Sequence, residues 1–323
     1  MSVYDISGNT IIESPYADGP KNTQIHFNVQ INPTHPVNEW VDSSGTLNVN
    51  AVLILPSTYL ANGAPTKLIF MHHGTSGTVT DNSWYSSASS WPNFYNGYLN
   101  AGYAVFDING SGPYSADDGV YHRDNGCPNA VFAAHAAYEY IIKNYNIDKR
   151  IFVHGSSMGG TIGISFPKAF PEIVRAVGLF APAELKDAAI SSYSYCNQVA
   201  VNYGYADQAA AAADGYEEFW ASALSMEHYN SSGERQSHPF DYDWENDSTE
   251  THVASFPAPI KFWHGTADTS TSPLFSEKAV DALRKGRCMA FYRPVSGGGH
   301  NICTGANSTV ISEAVLWFNR FKG

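Results

Sequence analysis

The chain has 323 residues, of which 43% are hydrophobic and 14% aromatic, so it carries enough apolar material for a large buried core. Acidic residues outnumber basic ones by 30 to 18, and the net charge of −12 has the wrong sign for a nucleic-acid partner. No segment approaches the roughly 18 consecutive apolar residues of a membrane span, so we expect a soluble chain without a membrane partner. The opening residues have neither the charged nor the apolar segment of a signal peptide. The compartment stays open, and secretion or attachment to a particle is compatible with the sequence.

Two segments near the start of the chain alternate apolar and polar side chains. They cover residues 24–32 and 47–55 and predict half-buried antiparallel strands. After them the pattern changes to short apolar runs, each followed by helical periodicity. The runs predict buried strands over residues 67–72, 103–108, 150–154, 174–180, 259–264 and 288–293. The helical patterns predict helices over residues 90–101, 129–145, 159–170, 273–285 and 308–322.

Strands that alternate with helices are typical of an α/β protein with a mostly parallel, doubly wound sheet. Helices then cover both faces of the sheet. The alternation stops between residues 181 and 257, directly after the sixth predicted strand. We therefore predict a core formed by residues 1–180 and 258–323, with residues 181–257 inserted as a cap.

A candidate nucleophile follows the fifth predicted strand. Residues 155–160 read Gly-Ser-Ser-Met-Gly-Gly and fit the pattern G-x-S-x-G with Ser157 at its centre. In this pattern the nucleophile lies in a tight strand-to-helix turn, and its neighbours two positions away must be small for the backbones to pass. Ser156 does not meet this condition, because His154 and Met158 would occupy those positions. A glycine-rich turn without a catalytic role also fits the motif, so the other residues of the site decide between the two interpretations.

A serine hydroxyl needs a base, and the base needs a carboxylate that orients it. Asp268 follows the strand predicted over residues 259–264, and His300 follows the strand predicted over residues 288–293. Taken singly, Asp268 could be a helix N-cap and His300 a surface histidine. Active sites of open α/β sheets lie at the carboxyl ends of the strands, where all three residues fall in the order serine, acid, histidine. We therefore predict Ser157, Asp268 and His300 as a catalytic triad.

An oxyanion hole needs N–H donors aimed at the developing charge. The backbone N–H of Met158 follows the nucleophile directly, and the second donor is expected from the loop after the strand over residues 67–72. In that loop Thr75 is the first choice and Gly74 the next. The neighbouring His72 and His73 resemble metal ligands. Because adjacent side chains of a strand point to opposite faces, we expect no joint coordination.

No metal site is predicted elsewhere in the sequence. The cysteines are scattered and lack the paired spacing of a zinc site, and their disulfide state stays open; they are Cys127, Cys196, Cys288 and Cys303. Residues 241–247 resemble the first half of a calcium loop, but Asn246 stands where such a loop needs glycine. We expect a solvated acidic loop there, and calcium binding is the open alternative.

Four segments of the chain resemble the α/β-hydrolase family. They read HHGTSG at residues 72–77, GSSMGG at 155–160, HGTAD at 264–268 and GGGH at 297–300. The form GxSxGG is similar to the branch that contains dienelactone hydrolases, prolyl-oligopeptidase-like domains, and acetyl xylan or feruloyl esterases. The resemblance implies the α/β-hydrolase fold and a serine esterase or peptidase mechanism without a cofactor.

The predicted cap is rich in aromatic side chains and poor in the aliphatic ones that a lipase lid would carry. Aromatic faces with polar rims suit sugar rings or aromatic acyl groups, although these side chains would equally serve to pack the cap itself. The candidate substrate contacts are His73, Tyr114, Tyr121, His122 and Trp220.

From these observations we predict a serine hydrolase that cleaves carboxylic esters, with short-chain or aromatic acyl groups on a small molecule or polysaccharide as substrate. Acetylated or feruloylated polysaccharides are the favoured examples. A peptidase or amidase of the prolyl-oligopeptidase-like type is the first rival, which the absence of a β-propeller segment disfavours. The second rival is a non-catalytic carbohydrate-binding or attachment protein, which would have no need of all three triad residues. The oligomeric state stays open.

The negative charge is concentrated in the predicted cap. Residues 183–257 hold 13 acidic and 2 basic side chains, a net charge of −11, which leaves −1 for the rest of the chain. A negatively charged cap is expected to disfavour the binding of polyanions and to favour neutral or cationic ligands.

Overall fold

The computed structural model describes residues 5–13, 22–31, 47–74, 79, 92–109, 128–182, 206, 226–229, 251–254, 256–303 and 309–323. The described strands are β1 (Asp5–Glu13), β2 (Thr23–Ile31), β3 (Leu47–Leu55), β4 (Leu68–His72), β5 (Ala104–Ile108), β6 (Ile151–Ser156), β7 (Val174–Phe180), β8 (Met226–Tyr229), β9 (Thr251–Ala254), β10 (Ile260–Gly265) and β11 (Ala290–Val295). The described helices are α1 (Pro92–Asn100), α2 (Pro128–Asn144), α3 (Gly159–Ala169), α4 (Pro273–Lys285) and α5 (Thr309–Asn319).

Nine of these strands form one sheet in the order β1-β2-β3-β5-β4-β6-β7-β10-β11. The first three strands of this order are antiparallel to their neighbours, and from β5 to β11 neighbouring strands run parallel. The predicted mostly parallel, doubly wound sheet is thereby confirmed. β8 and β9 pair separately, as an antiparallel ribbon within the predicted insertion. The strand β1 was absent from the sequence prediction, because Asp5–Glu13 lacks a regular alternation of apolar residues.

Helices pack on both faces of the sheet and divide the core in two. One cluster joins α2, α3 and α4 to the residues of the sheet that point to their side, such as Phe70 and Val153. The other joins α1 and α5 to the opposite side, where Met71 and Phe152 lie. Neighbouring strand residues thus enter different clusters. The central strands β4 and β5 are buried along their whole length, which explains why they appear in the sequence as short, mostly apolar runs, with His72 and Asp107 as their polar members.

Local sequence signals account for where the helices begin and end. Pro92, Pro128 and Pro273 each occupy the first position of a helix, where the missing backbone N–H costs no hydrogen bond. α4 carries Arg284 and Lys285 in its last turn, where cations interact favourably with the helix dipole. Among the described residues, no helix combines the length and apolar character needed to cross a bilayer.

Candidate active site

Ser157 occupies the turn between β6 and α3 and has a backbone φ of +52°. This region is sparsely populated for residues with a side chain, so the turn stores strain that its surroundings must hold. The N–H of Ser157 donates to the carbonyl oxygen of Phe180 at 3.0 Å, and the N–H of Gly160 donates to the carbonyl oxygen of Ser157 at 2.8 Å. These bonds fix the turn to β7 on one side and to α3 on the other.

The glycines on either side of Ser157 are needed for close backbone contacts. A Cβ atom on Gly159 would lie 2.2 Å from the carbonyl oxygen of His72, and a Cβ on Gly155 would lie 2.4 Å from that of Gly159. Real Cβ atoms do not approach so closely. The absence of a side chain at Gly159 therefore lets the turn pack against the end of β4, and its absence at Gly155 lets the strand and the helix of the turn approach each other, as the G-x-S-x-G spacing predicts.

The structure brings Ser157, His300 and Asp268 together at the carboxyl ends of β6, β11 and β10. The Oγ of Ser157 lies 2.8 Å from Nε2 of His300, and Nδ1 of His300 lies 2.8 Å from Oδ2 of Asp268. The Asp268 side chain is fully buried, whereas 23% of the His300 side chain is exposed. The arrangement is a continuous chain of hydrogen bonds from a buried carboxylate, through an imidazole, to a hydroxyl group.

The carboxylate of Asp268 is surrounded by hydrogen-bond donors. Its Oδ1 accepts the backbone N–H groups of Ser270 at 2.8 Å and Thr271 at 3.1 Å, and its Oδ2 accepts the Thr271 hydroxyl at 2.9 Å. Burial alone would raise the pKa of Asp268, but the hydrogen bonds from His300, Thr271 and Ser270 outweigh it and lower the pKa below its usual value. Asp268 is therefore ionised and held in one orientation.

The two oxyanion candidates within the described residues lie next to Ser157. Met158 precedes the first residue of α3, so its backbone N–H is located at the positive end of a helix dipole. A Cβ on Gly74 would lie 3.3 Å from Cβ of Ser157, which shows how closely that loop passes the nucleophile. Thr75, the first choice for the second donor, lies outside the described residues.

His73, directly before Gly74, is held by a hydrogen bond to a buried carboxylate. Nδ1 of His73 lies 3.0 Å from both carboxylate oxygens of Asp107, which also accepts the Tyr95 hydroxyl at 3.1 Å. His73 is only 3% exposed, so its evident partner is Asp107, and its role as a substrate contact stays a prediction. The rings of His72 and His73 stack at 5.0 Å instead of pointing to opposite faces, because β4 ends at His72 and its pleat does not continue.

A buried polar network that the sequence did not predict lies beneath the nucleophile. The Tyr98 hydroxyl is 2.7 Å from Nδ1 of His154, and Nε2 of His154 is 2.9 Å from Oγ of Ser156. Burial raises the pKa of the Cys303 thiol, and a hydrogen bond with Ser156 acts against that shift. The Ser156 hydroxyl is thus engaged with the core, whereas that of Ser157 faces His300. Among the described cysteines, Cys303 is a free thiol.

The remaining predicted contacts lie outside the described residues. They are Tyr114, Tyr121, His122 and Trp220. The acidic run over residues 241–247 and most of the insertion lie outside as well. Their roles stay predictions.

Two buried histidines are expected to make the free energy of unfolding depend on pH. Burial lowers the pKa of His154 and of His264 below the ordinary value of 6.5. Below pH 6.5 the unfolded chain therefore binds protons that the folded chain does not, so stability is lost as the pH falls. Each histidine contributes a slope of up to about 1.4 kcal/mol per pH unit. Urea unfolding at pH 7, 6 and 5 should show this decline, with circular dichroism as the control that the protein is folded before urea is added. A stability that is constant or rises from pH 7 to 5 would contradict it.

Comparisons with known proteins give matches of structure only. No protein-family model and no curated protein sequence matches the chain. An S-formylglutathione hydrolase from Agrobacterium tumefaciens aligns with a TM-score of 0.61 at 15% identity, over 97% of this chain and 99% of that one. A hydrolase candidate from Legionella pneumophila aligns with a TM-score of 0.60 at 14% identity, over 99% of this chain and 98% of that one. A cold-adapted esterase from an Arctic intertidal metagenomic library aligns with a TM-score of 0.51 at 13% identity, over 96% of this chain and 97% of that one. At such identities the likeness concerns the fold, and together with the strand order it shows that this chain has the α/β-hydrolase fold.

Proposed function

We propose that the protein is a serine hydrolase that cleaves carboxylic esters through an acyl-enzyme. The observation that carries this proposal is the hydrogen-bonded chain from Ser157 through His300 to Asp268, with both links at 2.8 Å. A nucleophile within hydrogen-bond reach of a base, and a base oriented by a buried carboxylate, are the parts that such a mechanism requires.

In the first half of the reaction, Ser157 Oγ attacks the acyl carbonyl carbon and its proton passes to Nε2 of His300. Asp268 accepts the hydrogen bond from Nδ1 and stabilises the imidazolium that forms. The N–H of Met158, with a second donor from Gly74 or Thr75, binds the negative oxygen of the tetrahedral intermediate. The intermediate then collapses, and the leaving alcohol takes the proton from His300.

In the second half, water takes the place of the alcohol. His300 removes a proton from the water, which attacks the acyl carbon, and the acid is released when Ser157 recovers its proton. The strained backbone of Ser157 holds Oγ above the end of the sheet throughout both halves. Because 23% of the His300 side chain is exposed, the base is reached from the surface of the protein.

For the substrate we propose short-chain or aromatic acyl groups on a carbohydrate. Support comes from the composition of residues 181–257, which are rich in aromatic and poor in aliphatic side chains. The net charge of −11 over residues 183–257 further favours neutral carbohydrate esters over polyuronates.

The proposal is tested with the wild-type enzyme and a serine-directed reagent. The enzyme should hydrolyse p-nitrophenyl acetate, and diisopropyl fluorophosphate should abolish this activity as one phosphoryl group is attached to Ser157, located by peptide mass spectrometry. Activity that persists after complete modification of Ser157, or modification of another residue, would contradict the mechanism. Failure of the wild type to hydrolyse any ester would favour the non-catalytic rival.

The substrate class is tested separately by comparing acyl groups and bonds. The panel contains acetylated xylan, methyl ferulate, p-nitrophenyl octanoate and a peptide p-nitroanilide. Release of acetate or ferulate with little activity on the octanoate is the expected result. A preference for acyl chains of about eight carbons or longer, or for the anilide, would overturn the carbohydrate ester assignment.

A further inference from the structure

The Asp268 carboxylate has two histidine partners, although only one of them reaches the nucleophile. Oδ2 of Asp268 lies 2.8 Å from Nδ1 of His300 and 3.0 Å from Nε2 of His264. His264 is located on β10, four residues before Asp268, and is completely buried. No step of the proposed mechanism uses this second imidazole.

The contacts of His264 determine which of its nitrogens carries the proton. Nε2 faces Oδ2 of Asp268 at 3.0 Å and the carbonyl oxygen of Thr271 at 3.2 Å, and neither of these atoms can donate. The Thr271 hydroxyl, also 3.2 Å from Nε2, donates its proton to Oδ2 of Asp268 at 2.9 Å. Nε2 is therefore the protonated nitrogen. Nδ1 lies 2.7 Å from the hydroxyl of Ser276 on α4, which is itself fully buried. The Ser276 hydroxyl donates to Nδ1 when the imidazole is neutral.

His264 is held neutral by its surroundings. Burial lowers its pKa, and this effect outweighs the attraction of Asp268, which raises the pKa. Among the described residues, the titratable groups that act on His264 are Asp268, on the loop after β10, and His300, on the loop after β11. The packed helix α4 contributes the uncharged Ser276 at this point.

We propose that His264 is a positioning residue that holds Oδ2 of Asp268 in place for His300. This inference rests on the proposed serine hydrolase function. The N–H of His264 fixes one direction of approach to Oδ2 and leaves another for His300. It also takes up part of the carboxylate charge, which would otherwise be directed at His300. Ser276 in turn fixes the tautomer and the orientation of the His264 ring.

Two amide substitutions separate the two contacts of His264. The amide nitrogen of glutamine reaches the position of Nε2, so His264→Gln can still donate to Asp268. Asparagine is shorter and its amide reaches only the position of Nδ1, so His264→Asn keeps a partner for Ser276 but loses the bond to Asp268. Both variants are polar and similar in size, and each therefore serves as the folding control for the other.

The experiment measures kcat and KM for p-nitrophenyl acetate between pH 5 and 9 in the wild type and both variants. We expect His264→Asn to lower kcat about 10- to 100-fold with little change in KM, because the carboxylate loses its fixed position. The midpoint of the acidic limb of kcat/KM should move upward by about half a pH unit or more, because the charge of Asp268 is then concentrated on His300. His264→Gln should have a kcat within about 5-fold of the wild type, and the midpoint of its acidic limb of kcat/KM should lie at the wild-type pH.

Two results would overturn the inference. One is a His264→Asn enzyme with the kcat and pH profile of the wild type, and the other is equal impairment in both variants without a shift of the acidic limb. If neither variant folds, Ser276→Ala provides the comparison, because it keeps the imidazole of His264 but removes the hydroxyl that fixes its orientation. In this variant the midpoint of the acidic limb of kcat/KM should show the same upward shift, with a smaller loss of kcat. An acidic limb that stays at its wild-type pH would then reject the proposal. A wild-type enzyme that neither hydrolyses the ester nor reacts with diisopropyl fluorophosphate would instead refute the proposed function itself.

Discussion

Replacing Ser157 with alanine is expected to lower kcat for p-nitrophenyl acetate by about 10⁴- to 10⁶-fold. The variant keeps Asp268 and His300 but has no oxygen that can form the acyl-enzyme. Residual turnover would come from water activated near the oxyanion donors, which remain in place. Initial rates at saturating ester, with active-site titration of the wild type, measure the ratio of the two kcat values.

The neighbouring serine is the matched control for this substitution. Oγ of Ser156 lies 2.9 Å from Nε2 of His154, on the core side of the turn, so Ser156→Ala removes a hydroxyl group without touching His300. We expect this variant to lose about 1 kcal/mol of stability and to keep kcat within about 10-fold of the wild type. If Ser156→Ala abolished turnover while Ser157→Ala retained it, the choice of nucleophile would be wrong.

The predictable parts of the molecule are those in which burial or backbone geometry restricts the residue type. Central parallel strands are covered on both faces, so β4 and β5 are mostly apolar and were recognisable as short apolar runs, although each carries one buried polar residue. The turn at Ser157 passes so close to β4 that only glycine fits at Gly159, and this requirement makes the motif visible in the sequence. The proximity of Asp268 and His300 to Ser157 was predictable because parallel strands place their carboxyl ends at one edge of the sheet.

The parts that were missed depend on contacts between residues distant in the chain. Tyr98 and His154 are 56 positions apart, and only the packing of α1 against the sheet joins them. The same holds for the pairing of His73 with Asp107 across 34 positions. His264 had a weaker signal, since a histidine at the end of a buried strand needs polar partners, but the sequence does not name them. A buried polar group requires hydrogen-bond partners, but this requirement does not show which residues of the chain they are.

Replacing Gly265 with alanine is expected to displace the loop that carries His300. A Cβ atom on Gly265 would lie 2.3 Å from the carbonyl oxygens of both Gly298 and Gly299, and backbone atoms cannot move aside as a flexible side chain can. The carbonyl oxygen of Gly298 also accepts the N–H of Ala267 at 2.9 Å, which ties the loop to the residue before Asp268. A shift of this loop therefore separates the imidazole from both of its partners. We expect a loss of about 100-fold in kcat and of about 3 kcal/mol in stability, measured by ester hydrolysis and urea unfolding.

Gly299→Ala provides the matched comparison one residue before His300. A Cβ atom at this position would meet nothing within 4 Å, so the substitution adds a methyl group to the His300 loop itself without a collision. Its stability should stay within about 0.5 kcal/mol of the wild type, and its kcat within about 3-fold. Equal losses in the two variants would contradict the prediction, because the collision at Gly265 would then not be the cause of the loss. If only Gly265→Ala loses kcat and stability, the close contact between Gly265 of β10 and the loop after β11 is what keeps His300 between Asp268 and Ser157.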